Sequence, residues 1–203
     1  MFKKPVIVFE GVEGSGKSYH ISNVSKYLNK KKIDHIKIRE PGGCLNAEKI
    51  RRLILNNQSS FNKNTDLLLY LAARSENIHL LRKYYQKKII LIDRFIDSTI
   101  AYQHYGLGVE INVINLINKY LLKNFKINFT FLNIVNKKNI IKRLKSRKSL
   151  NRYDKFDDNF YQKVQRGYLK LAKRNKRKYT IINSNLAIEN NKSKIIKKID
   201  ELL

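Results

Sequence analysis

Short apolar segments alternate along the chain with longer segments whose apolar residues recur at helical spacing. The short segments are rich in strong β-formers, so each predicts a buried strand. The predicted strands are 5–10, 33–38, 88–92, 128–134 and 179–182. The predicted helices are 17–29, 47–56, 65–85, 97–104, 111–122, 137–145, 158–174 and 187–203. This alternation predicts an α/β fold, with a five-stranded parallel sheet flanked by helices.

The length of 203 residues fits one such domain, spanning 1–203. One part of it lacks helical or strand periodicity. Residues 146–157 are mostly polar and basic and separate two predicted helices. We expect this segment to form a flexible flap.

The segment between the first strand and the first helix reads Gly11-Val12-Glu13-Gly14-Ser15-Gly16-Lys17-Ser18. A strand before it and a helix after it complete the pattern of a phosphate-binding P-loop. Its glycines let backbone N–H groups converge on phosphate oxygens at the positive end of the helix. Lys17 reaches the β and γ phosphates, and the Ser18 hydroxyl suits Mg²⁺. The segment predicts nucleoside triphosphate binding, a plain glycine-rich turn being the alternative. The binding residues are Gly11, Gly14, Ser15, Gly16, Lys17 and Ser18.

Asp93 and Arg94 directly follow the third predicted strand. Ligands of open parallel sheets bind beyond the carboxyl ends of the strands, so both side chains should reach the cleft that the P-loop faces. Arg94 is suited to neutralise charge on a transferring phosphoryl group, with a structural ion pair as the alternative. Asp93 either holds Mg²⁺ or orients Arg94, and the sequence leaves both open.

The formal net charge of +27 would ordinarily favour a nucleic-acid partner. Here the lysines are spread along the whole chain and accompany 23 asparagines, and both amino acids have A/T-rich codons. We therefore attribute the charge to a low-GC genome and expect no specific nucleic-acid partner.

Cys44 is the only cysteine, which excludes an intramolecular disulfide. The first predicted strand begins within the first five residues, and no apolar segment approaches the length of a membrane span. We expect a cytoplasmic protein with no membrane partner.

Several segments besides the P-loop occur in the order and spacing of one enzyme family. They are Arg39-Glu40-Pro41-Gly42-Gly43, Tyr70-Leu71-Ala72-Ala73-Arg74, 93–103 and 165–172. Over nearly its whole length the chain resembles the bacterial thymidylate kinases, which are P-loop nucleoside monophosphate kinases with a LID flap. The resemblance implies Mg²⁺-dependent transfer of the γ-phosphoryl group of ATP to dTMP, and a homodimer.

The resemblance also implies acceptor-binding residues. Tyr70 and Arg74 are four residues apart on a predicted helix and so share a face. The family places the aromatic ring against thymine and the arginine on a thymine carbonyl oxygen; otherwise we would interpret them as a core aromatic and a solvated charge. The other implied dTMP contacts are Glu13 on the sugar 3′-hydroxyl, Arg51 and Arg94 on the monophosphate, Thr99 and Gln103 on the pyrimidine edge, and Tyr102 beside the deoxyribose.

On the donor side, the resemblance implies that Arg143 stacks on adenine. The catalytic arginine should come from the flap, where Arg147 and Arg152 are the candidates; a solvated basic loop is the alternative. Glu13 is expected to position the acceptor and not to act as a general base, because the attacking phosphate oxygen is already anionic. The chain departs from the family pattern at Asn128, Asn133, Asn151 and Cys44.

Two other functions stay open from the sequence. One is a kinase for another nucleotide or for a deoxynucleoside. The other, suggested by the positive charge, is a P-loop ATPase stimulated by nucleic acid.

Overall fold

The computed structural model describes residues 4–145 and 151–203. Within them, five strands form one parallel sheet in the order β2-β3-β1-β4-β5. The strands are β1 (Val6–Gly11), β2 (His35–Arg39), β3 (Ile89–Asp93), β4 (Phe129–Ile134) and β5 (Tyr179–Asn183). The predicted α/β class and parallel sheet are confirmed.

Helices connect the strands and cover both faces of the sheet. They are α1 (Lys17–Lys30), α2 (Leu45–Leu55), α3 (Lys63–Tyr84), α4 (Ile96–Thr99), α5 (Ile111–Leu122), α6 (Lys137–Lys145), α7 (Asp158–Arg174) and α8 (Ile188–Leu202). No helix in the described part of the chain is both long and apolar enough to cross a membrane.

The sheet is buried on both faces because its side chains alternate between two apolar layers. Ile7 and Phe9 of β1 pack with α1 and α8, whereas Val6 and Val8 pack with α3 and the segment after α5. This packing fixes the strands rigidly, so the segments at their carboxyl ends have a defined position.

Two segments differ from the sequence prediction. The predicted helix 97–104 is instead α4 followed by a π-helix, Ile100–Gly106, whose wider turn buries Tyr102 and Gln103. Within the predicted flap, residues 146–150 lie outside the described residues. Arg152–Lys155 forms a 3₁₀-helix that begins with a capping box between Asn151 and Asp154.

Candidate active site

A cavity of about 530 Å³ lies at the carboxyl edge of the sheet, where β1, β2 and β3 end. One end of the cavity is lined by the P-loop together with Arg143, Leu186 and Ile188, and we call this the P-loop end. The opposite end is lined by Arg39, Glu40, Arg51, Leu55, Tyr70, Tyr102 and Tyr153, and we call it the Tyr70 end. Asp93 and Arg94 lie between them.

The P-loop turns sharply at Gly11, whose φ is +139°. A Cβ on this residue would lie 2.2 Å from the backbone oxygen of Asn133 on the neighbouring strand β4, so only glycine fits there. The close approach of the two strands brings the start of α1 over the edge of the sheet.

Lys17 is only 6% exposed, at the first turn of α1. Its Nζ donates hydrogen bonds to the backbone oxygens of Gly11 at 2.8 Å and Val12 at 2.9 Å, and to Ser15 Oγ at 3.3 Å. Burial, followed by the positive charge of Arg94, lowers the pKa of Lys17 to about 7. An anionic phosphate in the cavity would favour the protonated lysine, so this site is electrostatically suited to a polyphosphate.

Ser18 and Asp93 place two oxygen ligands side by side beneath the P-loop. Ser18 Oγ donates to Asp93 Oδ2 at 2.8 Å, and both residues line the cavity. A hydroxyl and a carboxylate suit Mg²⁺, which takes few protein ligands and completes its coordination with water and substrate phosphates. Among the described residues, no group of three or more His, Cys, Asp and Glu side chains is placed to hold a metal ion.

Arg94 has an unusual backbone for a non-glycine residue, with φ +66°. Its Nη2 donates to Glu13 Oε1 at 2.7 Å and its Nη1 donates to the Gly11 oxygen at 2.8 Å. Burial alone would raise the pKa of Glu13, but Arg94, Lys17 and the hydrogen bond from Tyr102 lower it. Glu13 is therefore an ionised partner of Arg94 and is poorly suited to act as a general base.

Arg143 of α6 closes the P-loop end. It donates to the backbone oxygens of Gly14 at 2.7 Å and Ser184 at 2.9 Å. Ser184 follows β5, and its hydroxyl donates to the Ser15 oxygen at 2.6 Å. Backbone carbonyls therefore hold the charged side chains of this end.

At the Tyr70 end, Arg51 of α2 donates to the Pro41 oxygen at 2.6 Å. The Tyr102 hydroxyl donates to Glu13. The rings of Tyr70 and Tyr102 each pack edge-on against Tyr153, with centroids 5.9 Å and 5.8 Å from it. Three aromatic side chains and a cation thus form a wall suited to a flat ring bearing an anionic group.

Behind this wall, Arg74 is fully buried, at 1% exposure. Its Nε donates to Glu40 Oε2 at 2.8 Å, its Nη1 to Asn118 Oδ1 at 2.7 Å and its Nη2 to Thr99 Oγ1 at 2.9 Å. A buried guanidinium requires such partners, because an unpaired charge in the interior is very costly.

A second buried carboxylate, Asp66 of α3, joins the Tyr70 end to the predicted flap. It accepts hydrogen bonds from Arg152, from the Tyr153 hydroxyl and from Gln103 Nε2. Arg152 also donates to the Ile54 oxygen at 3.1 Å. These partners hold Arg152 against α2 and α3 and away from the P-loop.

Comparison with known proteins agrees with this geometry. The sequence profile described as Thymidylate kinase matches residues 9–195. The chain belongs to the thymidylate kinase family. A thymidylate kinase from Mycoplasma capricolum is 37% identical over 202 residues, covering 97% of this chain and 95% of the relative. One from Kosmotoga olearia is 31% identical, covering 94% and 93%. The crystal structure of thymidylate kinase from Ehrlichia chaffeensis superposes with a TM-score of 0.80 at 29% identity, covering 98% of this chain and 99% of that one.

Most of the predicted site residues, whether predicted from the P-loop pattern and the strand ends or implied by the resemblance, line the cavity. These are Glu13, Gly14, Ser15, Gly16, Lys17, Ser18, Arg51, Tyr70, Asp93, Arg94, Tyr102 and Arg143. Five others lie behind the lining, namely Gly11, Arg74, Thr99, Gln103 and Arg152. Arg147 lies outside the described residues. Arg152 is bound here to the buried carboxylate of Asp66, and its catalytic role stays a prediction.

Sequence reasoning gave no role to four polar residues that hold the site together: Glu10, Glu40, Asp66 and Tyr168. Glu40 and Tyr168 belong to the segments that carry the resemblance. The acid at position 10, inside an otherwise apolar strand, was a visible signal. Asp66 offered none, because its partners are distant in the sequence.

Proposed function

We propose that this thymidylate kinase family member transfers the γ-phosphoryl group of ATP to dTMP, giving ADP and dTDP. The observation that carries the proposal is one cavity with the P-loop and Lys17 at one end, an aromatic wall with Arg51 at the other, and Arg94 between them. That arrangement brings two phosphate-bearing ligands together, which is the main requirement of phosphoryl transfer.

At the P-loop end, Lys17 and the backbone of the loop bind the ATP phosphates in this proposal. Arg143 lies across the loop and stacks on adenine, beside the exposed apolar side chains of Leu186 and Ile188. Because backbone carbonyls hold Arg143, its guanidinium plane is already oriented before the base binds.

At the Tyr70 end, Arg51 and Arg94 grip the dTMP phosphate, and Tyr70 packs on the thymine ring. Arg74 lies beneath this ring, and its Nη2 donates to Thr99 Oγ1. An N–H group at this edge of the guanidinium would donate to a thymine carbonyl oxygen. Gln103 acts with it on the pyrimidine edge. Tyr102 lies beside the deoxyribose, and Glu13 contacts its 3′-hydroxyl.

The attacking group is a phosphate oxygen that is anionic at neutral pH, so the reaction requires no general base. Lys17 and Arg94 neutralise charge that develops on the transferring group. A flap arginine adds to this charge, and Arg147 is the stronger candidate because Arg152 is bound to Asp66.

Ser18 and Asp93 are the residues that would hold Mg²⁺. When bound, the ion supplies positive charge to the phosphate oxygens and orients them. The adjacency of the Ser18 hydroxyl and the Asp93 carboxylate supports this assignment.

We also propose that the chain forms a homodimer in the cytoplasm. Val113, Leu116 and Tyr120 are exposed at helical spacing on α5, and Leu68 is exposed on the adjoining helix α3. A surface of this kind is typical of subunit interfaces. Sedimentation of Leu116→Glu against the unmodified chain tests it: the variant should sediment as a monomer, and an unchanged dimer would exclude this face.

A coupled assay of ADP release tests the activity. The purified chain should release ADP rapidly with ATP, Mg²⁺ and dTMP, and far more slowly with dUMP, dCMP, dGMP or thymidine. The Lys17→Ala variant, prepared in parallel, measures contaminating activity. A preference for another acceptor would replace dTMP in the proposal, and ADP release driven by DNA or RNA without any nucleotide acceptor would refute it.

A further inference from the structure

Glu10, near the end of β1, is a buried carboxylate that phosphoryl transfer itself does not require. It is 1% exposed. Its Oε1 accepts from the backbone N–H groups of Phe95 at 2.8 Å and Ser98 at 3.3 Å. Its Oε2 accepts from Ser98 Oγ at 2.5 Å and from the Tyr168 hydroxyl at 3.3 Å. Both oxygens therefore face only donors, all within or packed against the segment that follows Arg94.

A chain of hydrogen bonds links Arg94 to this carboxylate. Arg94 Nη1 donates to the Tyr168 hydroxyl at 3.2 Å, the Tyr168 and Ser98 hydroxyls lie 2.6 Å apart, and Ser98 donates to Glu10. Because Arg94 is only a donor and ionised Glu10 only an acceptor, the hydroxyl protons between them point towards Glu10. Tyr168 has one proton, which it donates to Ser98 Oγ at 2.6 Å or directly to Glu10 Oε2 at 3.3 Å, and in both cases a lone pair of its oxygen is left for Arg94.

We propose that Glu10 is a positioning residue for Arg94, holding the guanidinium in place by fixing the direction of the Tyr168 and Ser98 hydroxyls. For its effect on catalysis the inference rests on the proposed function, which uses Arg94 on the phosphates. Arg94 has other anchors as well: its Nη2 donates to Glu13, and its Nη1 donates to the Gly11 oxygen and, at the longer distance of 3.4 Å, to Ser98 Oγ.

An amide at position 10 cannot replace the carboxylate. If the amide oxygen faces Ser98 Oγ, the amide nitrogen faces the N–H groups of Phe95 and Ser98, and donors oppose donors. In the flipped orientation the amide nitrogen donates to Ser98 Oγ. The Ser98 hydroxyl then donates to the Tyr168 oxygen, and the Tyr168 proton points at Arg94, which is itself a donor. The ionised carboxylate, in contrast, accepts from every one of these donors.

Charged and titratable groups surround Glu10. Asp97 of α4, Tyr168 of α7, Lys17 of α1 and Arg94 contribute to its electrostatic environment. Burial, and then the charge of Asp97, raise the pKa of Glu10 to about 7, while the bonds from Ser98 and Phe95 and the charge of Arg94 lower it. The ionised form is thus costly to keep in this environment.

Glu10→Gln, Tyr168→Phe and Ser98→Ala test the inference, with Ser25→Ala and Tyr85→Phe as matched controls. The controls lose a serine or tyrosine hydroxyl that makes a hydrogen bond away from the cavity. At saturating substrates, Glu10→Gln should lower kcat about 10- to 100-fold, the scale of a lost hydrogen bond to a charged group, with the KM for ATP nearly unchanged. In the Tyr168→Phe background the same change should cost less, because Arg94 then keeps only its long 3.4 Å bond to Ser98 as a link to Glu10.

Nuclear magnetic resonance of the arginine guanidinium groups measures the positioning without any enzymatic turnover. Glu10→Gln and Tyr168→Phe should each speed rotation of the Arg94 guanidinium, and the control variants should not. Ser98→Ala retains both the carboxylate and the bond from Arg94 to Tyr168 but removes the hydroxyl that links them, so it should also speed this rotation, and it decides the question even where Glu10→Gln fails to fold. Unchanged Arg94 dynamics, or additive losses of kcat in the double variant, would overturn the inference. Failure of the unmodified enzyme to use dTMP would instead refute the proposed function.

Discussion

The two ends of the cavity anchor their charged side chains in different ways. At the P-loop end, Lys17 and Arg143 donate mainly to backbone carbonyls. At the Tyr70 end, buried carboxylates hold the two cations behind the lining, with Glu40 on Arg74 and Asp66 on Arg152, while Arg51 donates to the Pro41 oxygen. A carbonyl that loses its lysine stays neutral, whereas a buried carboxylate that loses its arginine is left charged and unpaired. The same truncation should therefore remove activity at one end and stability at the other.

Lys17→Ala should have the largest effect on catalysis. We expect kcat to fall by about 10² to 10⁴, the scale for removing a transition-state charge partner. The free energy of unfolding should fall little, because burial already disfavours the charged lysine. Steady-state kinetics and urea unfolding of the same preparation measure both quantities. A large loss of stability would remove the distinction between the two ends.

Arg74→Ala should show the opposite balance. Removing one partner of a buried ion pair costs about 3 to 5 kcal/mol of unfolding free energy, since Glu40 is left unpaired. Arg82→Ala on the same helix is the matched control. Arg82 donates to the neutral backbone oxygens of Leu121 and Leu122 at the end of α5, so its loss should cost under about 1 kcal/mol. Equal losses in the two variants would show that the Glu40 pair contributes nothing special.

Arg94 lies between the two ends and is anchored both by the Gly11 backbone oxygen and by the Glu13 carboxylate. Hydroxyl groups connect it to Glu10, so the effect of pH on Glu10 tests the carboxylate type of anchoring further. The pKa of Glu10 is raised from 4.5 to about 7 in the folded protein. Protonation of Glu10 therefore contributes its full stabilisation below about pH 4.5, and this stabilisation is lost as the pH rises through about 7. Relative to Glu10→Gln, the unmodified chain should lose up to about 3 kcal/mol of unfolding free energy between pH 4.5 and pH 8. Urea unfolding at several pH values measures this difference, and parallel curves would mean that Glu10 titrates normally.

Arg152→Ala should have the smallest kinetic effect. It should also lower the free energy of unfolding, but by less than Arg74→Ala, because Tyr153 and Gln103 still donate to Asp66. The Arg152 guanidinium holds the 3₁₀-helix that carries Tyr153 against α2 and α3, so we expect the KM for dTMP to rise about three- to tenfold, or about 1 kcal/mol. If Arg152 acts only by holding this helix, kcat should change by a smaller factor than the KM for dTMP. Steady-state kinetics separates this result from a direct catalytic role, which would lower kcat at least tenfold and leave the KM nearly unchanged.

The parts of the site that the sequence predicts best are those at the ends of strands. Gly11, Lys17, Asp93 and Arg94 lie beside strand ends, and a parallel sheet brings strand ends to one edge, so their approximate positions followed from the strand pattern alone. Their hydrogen-bond partners did not, since a carbonyl or carboxylate partner is set by the exact turn of the backbone.

Residues on helices were harder to place. The four-residue spacing of Tyr70 and Arg74 correctly puts them on one face, yet burial separates them: Tyr70 lines the cavity and Arg74 lies behind it. Arg152 was placed by composition in a mobile basic flap, and its partner Asp66 lies 86 residues away in the sequence. Such long-range pairs are specified by tertiary packing and leave no local signal.

A crossed binding titration tests the separation of the two ends most directly. Calorimetry would measure the Kd of dTMP and of a non-hydrolysable ATP analogue for Lys17→Ala and for Arg51→Ala, which lines the Tyr70 end without a buried carboxylate partner. We predict that Lys17→Ala weakens the analogue about tenfold or more while dTMP binding changes less than about threefold, and that Arg51→Ala gives the reverse. Equal weakening of both ligands in both variants would contradict a cavity with two separately anchored ends.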